Sequence, residues 1–316
     1  MRRGGPEHMR EPGSQVTPGR VAAIASLILV GVVTAVILSH SGSRKNPAAP
    51  TSTTPATTHG QTGASTSRTT ASPGTASVPI LVYHVINAQP AGSSASGALY
   101  VPADEFSSQM QALKANGWHA VTLDQLQAYW TRGTSLGPGK PIVLSFDNGY
   151  ASHYTNALPA LKGLGWVGVE NLQVSGLPPS EGGLTDAQIR GLLTAGWELD
   201  TQGLSHAALT TVGPTQLTAE VSTARQTLRS RYGVPVNWFS YPFGDYDATV
   251  IAAVKASGYA GATTVNPGWA SPNQDRFRLP RLLVMGGTSP SQLLAQIASA
   301  QSATSIPPSF TGTGVA

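Results

Sequence analysis

The sequence predicts an α/β domain in which strands alternate with helices around a parallel sheet, either open or closed into a barrel. Continuously apolar stretches alternate along residues 78–300 with stretches whose apolar residues recur at helical spacing. Glycine ends predicted helices at Gly117 and Gly196, and Thr185 with Gln188 three residues later forms a capping box. The repeated β–α order favours parallel strands with the helices outside. In barrels of this kind the chemistry lies at the carboxyl ends of the strands.

These patterns place each element in order along the chain. The first strand is a continuous apolar run, and Phe106, Met110 and Leu113 mark the helix that follows it. The predicted strands lie at 78–83, 118–123, 141–146, 167–174, 197–201, 237–241 and 279–284. The predicted helices lie around 106–116, from 124, and at 152–164, 185–195, 217–228, 248–257 and 292–300.

The charge of the chain is concentrated before this domain. The 316 residues carry 19 Lys or Arg and 15 Asp or Glu, a net charge of +4. Residues 1–77 hold seven of the basic and two of the acidic residues, which leaves 12 basic and 13 acidic residues for 78–316. A nucleic-acid-binding domain needs clustered Lys and Arg to neutralise phosphates, so we expect no nucleic-acid partner. The chain has no cysteine, which excludes thiolate metal ligands and a cysteine nucleophile.

Residues 21–38 form an uncharged apolar stretch of 18 residues. This length predicts a transmembrane helix that crosses a hydrocarbon core of about 30 Å. A cleaved signal peptide is the alternative, but such signals have an apolar core of about 7–15 residues and an A-x-A site. Four Arg precede the stretch, whereas Arg44 and Lys45 follow it, so the positive-inside rule predicts a cytoplasmic segment 1–20. We therefore expect a single-pass cell-membrane protein with an extracellular C-terminal domain.

Residues 39–77 consist mainly of Ser, Thr, Pro, Ala and Gly. Such a composition cannot bury enough apolar surface to offset the entropy of ordering, which predicts a disordered linker. The folded domain is predicted to span 78–301. Residues 302–316, which end in FTGTGVA, are predicted to form a disordered tail.

Polar residues follow several of the predicted strands at the end where the barrel rule places chemistry. Each has a structural alternative, since Asp147 and Asn148 precede Gly149 in a turn-like sequence and His206 could cap a helix. Because they fall at the same end of consecutive strands, we expect them to form one site. The strand-end candidates are His84, Asp147, Asn148, Tyr150, Asp200, Gln202, His206, Tyr241, Pro242 and Phe243.

Four segments carry a family resemblance. They are VPILVYHVI (78–86), IVLSFDNGY (142–150), GWELDTQGLSHAALT (196–210) and WFSYPFGDYD (238–247). In this order they resemble the signatures of the polysaccharide deacetylases, carbohydrate esterases whose motifs read roughly F-D-D-G, H-[ST]-x-x-H and P-[YF]-G. The L-P-R at 279–281 is similar to that of exopolysaccharide-type members. The resemblance implies a distorted, incomplete (β/α) barrel that removes acetyl groups from N-acetylated sugars with a divalent metal, usually zinc, that activates water.

The resemblance also implies roles for individual residues. Asp147 corresponds to the catalytic base, the Phe243 backbone N–H to the donor for the oxyanion, and His206 to an imidazole ligand of the metal. Asn148 stands where the family has a metal-binding Asp, and Gln202 stands where it has the first metal-binding His. The metal triad is therefore incomplete, because neutral amides are poor replacements for carboxylate and imidazole at zinc.

Two residues are candidate substitutes for the missing ligands. Asp200 lies two residues before Gln202, on the same face of an extended segment, and His84 lies at a neighbouring strand end. Aromatic side chains near the site could stack on sugar rings. The candidate substrate-binding residues are Tyr150, Tyr241 and Pro242.

Two functions remain open on these grounds. The first is a membrane-anchored extracellular hydrolase that cleaves the amide C–N bond of N-acetyl sugars with the help of zinc. The second is an inactive homologue that binds glycan, with no metal. In both, the partners are the membrane and a cell-surface polysaccharide or peptidoglycan-type glycan. Asn148 and Gln202 are the residues that separate the two functions.

Overall fold

The computed structural model describes Met1 and residues 72–90, 97–177, 182–303 and 305–312. The predicted cytoplasmic segment, the predicted membrane helix at 21–38 and most of the predicted linker lie outside these residues. Among the residues described, no helix has both the length and the apolar character needed to cross a bilayer.

All the strands and helices predicted for the domain are present, and their bounds are as follows. The strands are β1 Val78–Tyr83, β2 Trp118–Val121, β3 Lys140–Asn148, β4 Val169–Leu172, β5 Glu198–Thr201, β6 Trp238–Ser240, β7 Gly261–Thr263, β8 Trp269–Ala270 and β9 Leu282–Leu283. The helices are α1 Ala103–Ala115, α2 Leu123–Arg132, α3 Leu158–Leu164, α4 Asp186–Thr194, α5 Pro214–Thr218, α6 Ala224–Tyr232, α7 Ala248–Ala256 and α8 Pro290–Ala300.

The strands form one sheet that curls into a half-barrel. The strand order is β7-β6-β5-β4-β3-β1-β8, with β9 paired to β1 and β2 paired to β3. One edge of β3 serves two neighbours, since β2 pairs with its first half and β4 with its second half. The predicted parallel arrangement holds for β1 to β7 and for β9, whereas β8 pairs antiparallel with β1. The carboxyl ends of β1 and β3 to β6 consequently meet at one end of the half-barrel.

An aromatic cluster supports β1 and β3 from the helix side. Phe106 of α1 contacts Tyr83 and Phe146, with ring centroids 5.1 and 5.9 Å away, and Tyr83 stacks on Phe146 at 5.7 Å. Phe106, Met110 and Leu113 are fully buried, as their helical spacing predicts. Each buried side chain of this size contributes about 1.5–3 kcal/mol, so the strands that carry the site rest on a well-packed layer.

The predicted helix at 217–228 is divided by a π-helical turn, Ala219–Thr223, between α5 and α6. This turn contains Glu220, a buried carboxylate that accepts hydrogen bonds from the backbone N–H groups of Leu204 and Ser205. The wider turn thus coincides with a contact between the helix and the loop that follows β5. Periodicity alone does not reveal such a turn, because the apolar spacing is kept on both sides of it.

Part of the predicted disordered tail packs on the domain. Phe310 and Tyr246 exchange two backbone hydrogen bonds, each 2.9 Å long. The Tyr246 hydroxyl donates to the carbonyl of Pro307 at 2.8 Å, and the N–H of Gly312 donates to Asp245. Composition predicts disorder for this segment, but the Phe310 side chain and its short backbone pairing with Tyr246 attach it to the domain.

Candidate active site

Asp147 lies at the centre of the site, one residue before the end of β3. Its side chain is buried, and Arg281 donates one hydrogen bond to each carboxylate oxygen, both at 2.8 Å. Burial alone would raise the pKa of Asp147, but the charge and hydrogen bonds of Arg281 outweigh burial and lower this pKa to about 2. Asp147 is therefore ionised at neutral pH, and its charge is matched inside the protein.

Three neutral side chains also donate to the Asp147 carboxylate. Asn171 Nδ2 lies 2.7 Å from Oδ1, while Ser240 Oγ and Gln202 Nε2 lie 3.1 and 3.4 Å from Oδ2. The sheet register explains the shortest of these bonds, because Asn171 on β4 stands directly opposite Asp147 on β3. The carboxylate is thus surrounded by donors from β3's neighbours and from the strand ends beyond them.

Three non-glycine residues adopt left-handed backbone angles in the described part of the chain, and all three are candidate site residues. The φ angles are 78° at Asn148, 56° at His206 and 57° at Phe243. Asparagine tolerates this region better than other residues, whereas phenylalanine seldom adopts it. Strained backbone of this kind costs about 1–3 kcal/mol per residue and clusters at functional sites. The sequence-predicted residues thus coincide with the strained positions.

Asn148 and Gln202 are hydrogen-bonded to each other. The Asn148 backbone N–H donates to Gln202 Oε1 at 2.9 Å. Exchanging the Gln202 oxygen and nitrogen would put an NH2 group against this N–H, so the orientation of the amide is defined by the bond. Asn148 Oδ1 is buried and has no hydrogen-bond partner among the described residues. The two positions that would complete a metal triad are therefore neutral amides, one of which uses its oxygen internally.

His206 and Phe243 meet at the far side of Asp147. His206 lies on the loop after β5 and Phe243 on the turn after β6, and their rings pack edge to face with centroids 4.4 Å apart. Burial lowers the pKa of His206, although the charge of Asp147 opposes this effect. Its Nε2 atom is buried without a hydrogen-bond partner in the part of the chain described. His206 consequently presents a neutral imidazole.

His84 belongs to the same site. It follows β1, its side chain is buried, and neither ring nitrogen has a hydrogen-bond partner within the described residues. Burial lowers the pKa of His84 to about 4, against the opposing attraction of Asp147, and the charge of Arg281 adds to the lowering. His84 is therefore a second neutral imidazole beside the carboxylate.

The structure does not place the Asp200 carboxylate at the site. Its Oδ1 accepts hydrogen bonds from the backbone N–H groups of Asn237 and Trp238, at 2.9 and 2.8 Å. Burial and the charge of Glu198 raise the pKa of Asp200 well above its usual range. The expectation that Asp200 replaces a metal ligand is therefore wrong. Asp200 and Gln202 share a strand face, as the sequence predicts. The Oδ1 atom of Asp200, however, is bonded to the backbone at the start of β6.

The candidate substrate-binding residues differ in their surroundings. Tyr150 is half-buried after β3, and its ring meets that of His153 edge-on at 5.8 Å. Tyr241 is fully buried and its hydroxyl donates to the Phe277 carbonyl at 2.9 Å, so it is a core residue and not a platform for sugar. Pro242 is buried at the first position of the turn after β6. Among the three, only Tyr150 has side-chain surface to offer.

Arg281 is the residue whose role at the site the sequence analysis missed. It is fully buried, and besides Asp147 it donates to Ser145 Oγ at 3.2 Å, Ser240 Oγ at 2.9 Å and the Thr264 carbonyl at 2.8 Å. The L-P-R motif drew attention to this position without giving the arginine a function. The sequence signal for this role is an arginine directly before the apolar strand β9. An arginine beside such a strand is expected to be buried, and a buried arginine requires a buried acceptor.

The deacetylase family is generally metal-dependent, and the residues at the three ligand positions do not fit zinc. Within the described residues His206 Nε2 and Asn148 Oδ1 have no hydrogen-bond partner, but the Gln202 oxygen already accepts the Asn148 N–H and the nearby Asp147 carboxylate is paired with Arg281. Zinc sites are built from thiolate, imidazole and carboxylate ligands. Among the residues described, no three His, Cys, Asp or Glu side chains are grouped as a metal site requires.

Comparisons with known proteins agree with this architecture. Residues 135–262 match the family described as Polysaccharide deacetylase. The protein named "Putative polysaccharide deacetylase YxkH" of Bacillus subtilis (strain 168) is 28% identical over 224 residues, which cover 71% of this chain and 77% of that protein.

Solved structures share the fold as well. The Streptococcus pyogenes deacetylase PplD, in complex with acetate, superposes with a TM-score of 0.64 at 25% identity, over 71% of this chain and 99% of PplD. IcaB from Ammonifex degensii shares the fold with a TM-score of 0.58 at 20% identity, over 71% of this chain and 97% of IcaB. Residues 135–262 thus match the polysaccharide deacetylase family, and the domain is similar to polysaccharide deacetylases in sequence and in fold.

Proposed function

We propose that this chain is a membrane-anchored, extracellular member of the family that binds an acetylated cell-surface glycan at the Asp147 site without zinc-dependent removal of the acetyl group. The observation that carries the proposal is the hydrogen bond from the Asn148 N–H to Gln202 Oε1, 2.9 Å long. It joins the Asn148 backbone to the Gln202 side chain, so the positions where the family holds its metal carry two neutral amides, and the Gln202 side-chain oxygen already accepts a hydrogen bond within the protein.

The polar atoms around Asp147 suit a neutral ligand. Asn148 Oδ1, Asn171 Oδ1, His206 Nε2 and both ring nitrogens of His84 are buried and have no hydrogen-bond partner among the residues described. The Asp147 charge is already neutralised by Arg281, and both imidazoles are neutral at pH 7. Hydroxyl and acetamido groups can satisfy such donors and acceptors without adding charge to a buried site.

The state of Asp147 argues against hydrolysis by the carboxylate alone. Its pKa of about 2 makes it a weak base, and a water molecule that no metal binds is a very weak acid. A good general base has a pKa near the working pH. Because Arg281 stabilises the ionised form of Asp147, this carboxylate is better suited to accept hydrogen bonds from its neighbours than to take up a proton.

Hydrolysis of the amide C–N bond of N-acetyl sugars is the second candidate function. Asp147, His206 and Phe243 stand at the strand ends where the family resemblance expects its base, an imidazole ligand and the oxyanion donor. The free Asn148 Oδ1 and His206 Nε2 atoms favour this candidate, because both could face a cation if a further ligand came from the glycan.

Three measurements on the purified full-length chain separate the two candidate functions. They are the zinc content after dialysis against zinc, the release of acetate from chito-oligosaccharides, and the affinity of the chain for chito-oligosaccharides by calorimetry. The proposal expects binding without stoichiometric zinc and without acetate release. Stoichiometric zinc together with turnover would establish the hydrolase. A chain that neither binds nor cleaves these oligosaccharides would refute the assignment of the glycan.

The membrane location is tested separately. The apolar stretch 21–38 and the basic residues before it support a cytoplasmic N-terminus and an extracellular domain. In cells whose outer surface is exposed to protease, we expect the domain to be cut while the first 20 residues stay protected. Release of a shortened chain into the medium would instead indicate a cleaved signal peptide.

A further inference from the structure

A buried His–Glu pair lies directly behind His84. His153 and Glu170 are both buried, and His153 Nδ1 lies 2.9 and 3.2 Å from the two carboxylate oxygens of Glu170. On the other side of the ring, His153 Nε2 lies 2.5 Å from the backbone carbonyl oxygen of His84. One imidazole thus joins β4 to the residue that follows β1.

The partners of His153 fix the placement of its protons. A carbonyl oxygen can only accept, so Nε2 must carry a proton that it donates to His84. One more proton lies between Nδ1 and Glu170, whether it resides on the imidazole or on the carboxyl group. Burial lowers the pKa of His153 but the charge of Glu170 outweighs this and raises it, while burial raises the pKa of Glu170. The pair as a whole is neutral and both nitrogens are used.

The neighbours of His153 hold the same segment of chain. Ser152 Oγ accepts the backbone N–H of Ile86 at 3.1 Å, and Asn156 Nδ2 donates to the Ile86 carbonyl at 2.7 Å. His153 itself opens the π-helical turn His153–Ala157 before α3. Turns of this type are rare and frequently occur at functional sites. Three side chains of one turn therefore fix the backbone that carries the His84 imidazole.

We propose that His153 and Glu170 are positioning residues of the glycan site, which hold the His84 backbone so that the His84 imidazole faces Asp147. The proposal rests on the proposed function, since the site that the buried His84 imidazole helps to shape is the one proposed to bind the glycan. Neither His153 nor Glu170 touches the ligand in this arrangement. Their effect passes through one backbone carbonyl group.

The surroundings of the pair show that packing alone does not require it. The His153 ring lies 5.3 Å from the ring of Phe146 and 5.8 Å from that of Tyr150. A phenyl ring at position 153 would pack against the same two neighbours. Replacing both partners of a buried ion pair by apolar residues of similar size is often neutral or stabilising, whereas removing one partner leaves the other unpaired. A purely structural role therefore predicts that the double replacement His153→Phe, Glu170→Leu leaves the site unchanged.

Three variants test this role. His153→Phe keeps the ring but removes both hydrogen bonds, and Glu170→Leu removes only the partner of Nδ1. Glu170→Gln is the conservative variant, because its NH2 group can donate to Nδ1 of a neutral His153 while Nε2–H still donates to His84. Tyr83→Phe is the matched control: Tyr83 precedes His84 on the same strand, is fully buried and loses only a 2.9 Å hydrogen bond to Gln109.

The readouts are the ring resonances of His84 in the histidine-labelled full-length chain and the affinity for chito-oligosaccharides by calorimetry. We expect His153→Phe to shift the His84 resonances and weaken binding roughly tenfold, the equivalent of about one hydrogen bond to a charged group. Glu170→Leu should do the same to a smaller extent, while Glu170→Gln and Tyr83→Phe should match the native chain. If His153→Phe does not fold, Glu170→Leu and the double variant His153→Phe, Glu170→Leu serve as the test, and unchanged His84 resonances in the double variant would equally overturn the proposal.

Unchanged His84 resonances in a folded His153→Phe or Glu170→Leu chain would overturn the proposal, as would equal losses in the Glu170→Gln variant. Failure of the proposed function looks different. In that case the native chain does not bind chito-oligosaccharides, whereas the His84 resonances still respond to the His153 and Glu170 variants.

Discussion

Arg281 and Asp147 form a fully buried ion pair in which Nη1 and Nη2 of the arginine each lie 2.8 Å from a different carboxylate oxygen. The pair connects the residue before β9 to the end of β3, 134 positions earlier in the chain. A parallel fork of this kind is the strongest geometry available to arginine and a carboxylate. It gives the site a fixed centre around which the two imidazoles and the amides are arranged.

Loss of one partner of this pair is expected to be costly. Arg281→Met should lower the free energy of unfolding by about 3–5 kcal/mol, because Asp147 would be left charged and buried. The measurement is urea denaturation at pH 7. Arg231→Ala is the control, since its pair with Asp186 is about half exposed on both sides and should contribute less than about 1 kcal/mol. The double variant Asp147→Asn, Arg281→Met should recover part of the loss; if it is as unstable as the single variant, the charge is not the cause.

Restoring ligands at positions 148 and 202 is expected to create a zinc site. The Asn148→Asp, Gln202→His double variant should bind about one zinc per chain, because a carboxylate and two imidazoles then surround one point. Aspartate tolerates left-handed backbone almost as well as asparagine, so the φ of 78° at this position is not an obstacle. Zinc content and calorimetric affinity are measured for the native chain, both single variants and the double variant. A double variant that stays metal-free would show that these positions do not converge on one ion.

The buried, neutral His84 is expected to make the fold sensitive to acid. Its pKa in the folded chain is about 4, below the ordinary 6.5, so the unfolded chain takes up the proton first as the pH falls. Between these two values each pH unit should cost about 1.4 kcal/mol of stability. His84→Leu removes this cost, so the stability difference between variant and native chain should shift in favour of the variant from pH 6.5 to pH 4. A difference that stays constant over this range would mean that His84 is protonated in the folded chain.

Glu198 is expected to give a pH dependence of opposite sign. Burial raises the pKa of Glu198 to about 7, and the nearby charge of Asp124 adds to this effect. Below pH 4.5 the carboxyl group is protonated in both states, and as the pH rises towards 7 the unfolded chain loses the proton first, so stability is lost. Glu198→Gln should therefore gain stability over the native chain between pH 4.5 and 7 and keep this gain above pH 7.

Urea midpoints of the native chain and of Glu198→Gln at pH 4.5, 6 and 8 test this expectation. Gln216→Ala serves as the control, because Gln216 is exposed on α5 and carries no titratable group, so its midpoint difference from the native chain should be the same at each pH. A constant difference between Glu198→Gln and the native chain would indicate that Glu198 is ionised in the fold at neutral pH.

Local signals in the sequence predict most of this fold. The capping box at Thr185 and Gln188 starts α4 as expected, and Phe106 and Met110 turn to the core at helical spacing. The short strands β7 and β8 were not predicted, because three and two residues are too few to show a period. Local pattern identifies elements long enough to repeat, and it misses those that exist only because a neighbouring strand needs a partner.

The candidate site was predictable to the extent that it follows strand ends. Asp147, Asn148, His206 and Phe243 meet as the barrel rule predicts, because parallel strands bring their carboxyl ends together. The role of Arg281 was not predictable, since its partner is separated from it by most of the domain and no spacing relates the two. The commitment of Asp200 to the start of β6 likewise depends on tertiary contacts.

The pairing of Phe310 with Tyr246 bears on the order in which the domain is completed. Synthesis proceeds from the N-terminus, so Phe310 becomes available later than Tyr246 and the strands of the sheet. Until then the backbone of Tyr246, which follows the Phe243 turn, lacks the partner with which it shares two hydrogen bonds. A chain cut before Phe310 would contain every strand of the sheet and would still lack the two hydrogen bonds that support the backbone beside the Phe243 turn.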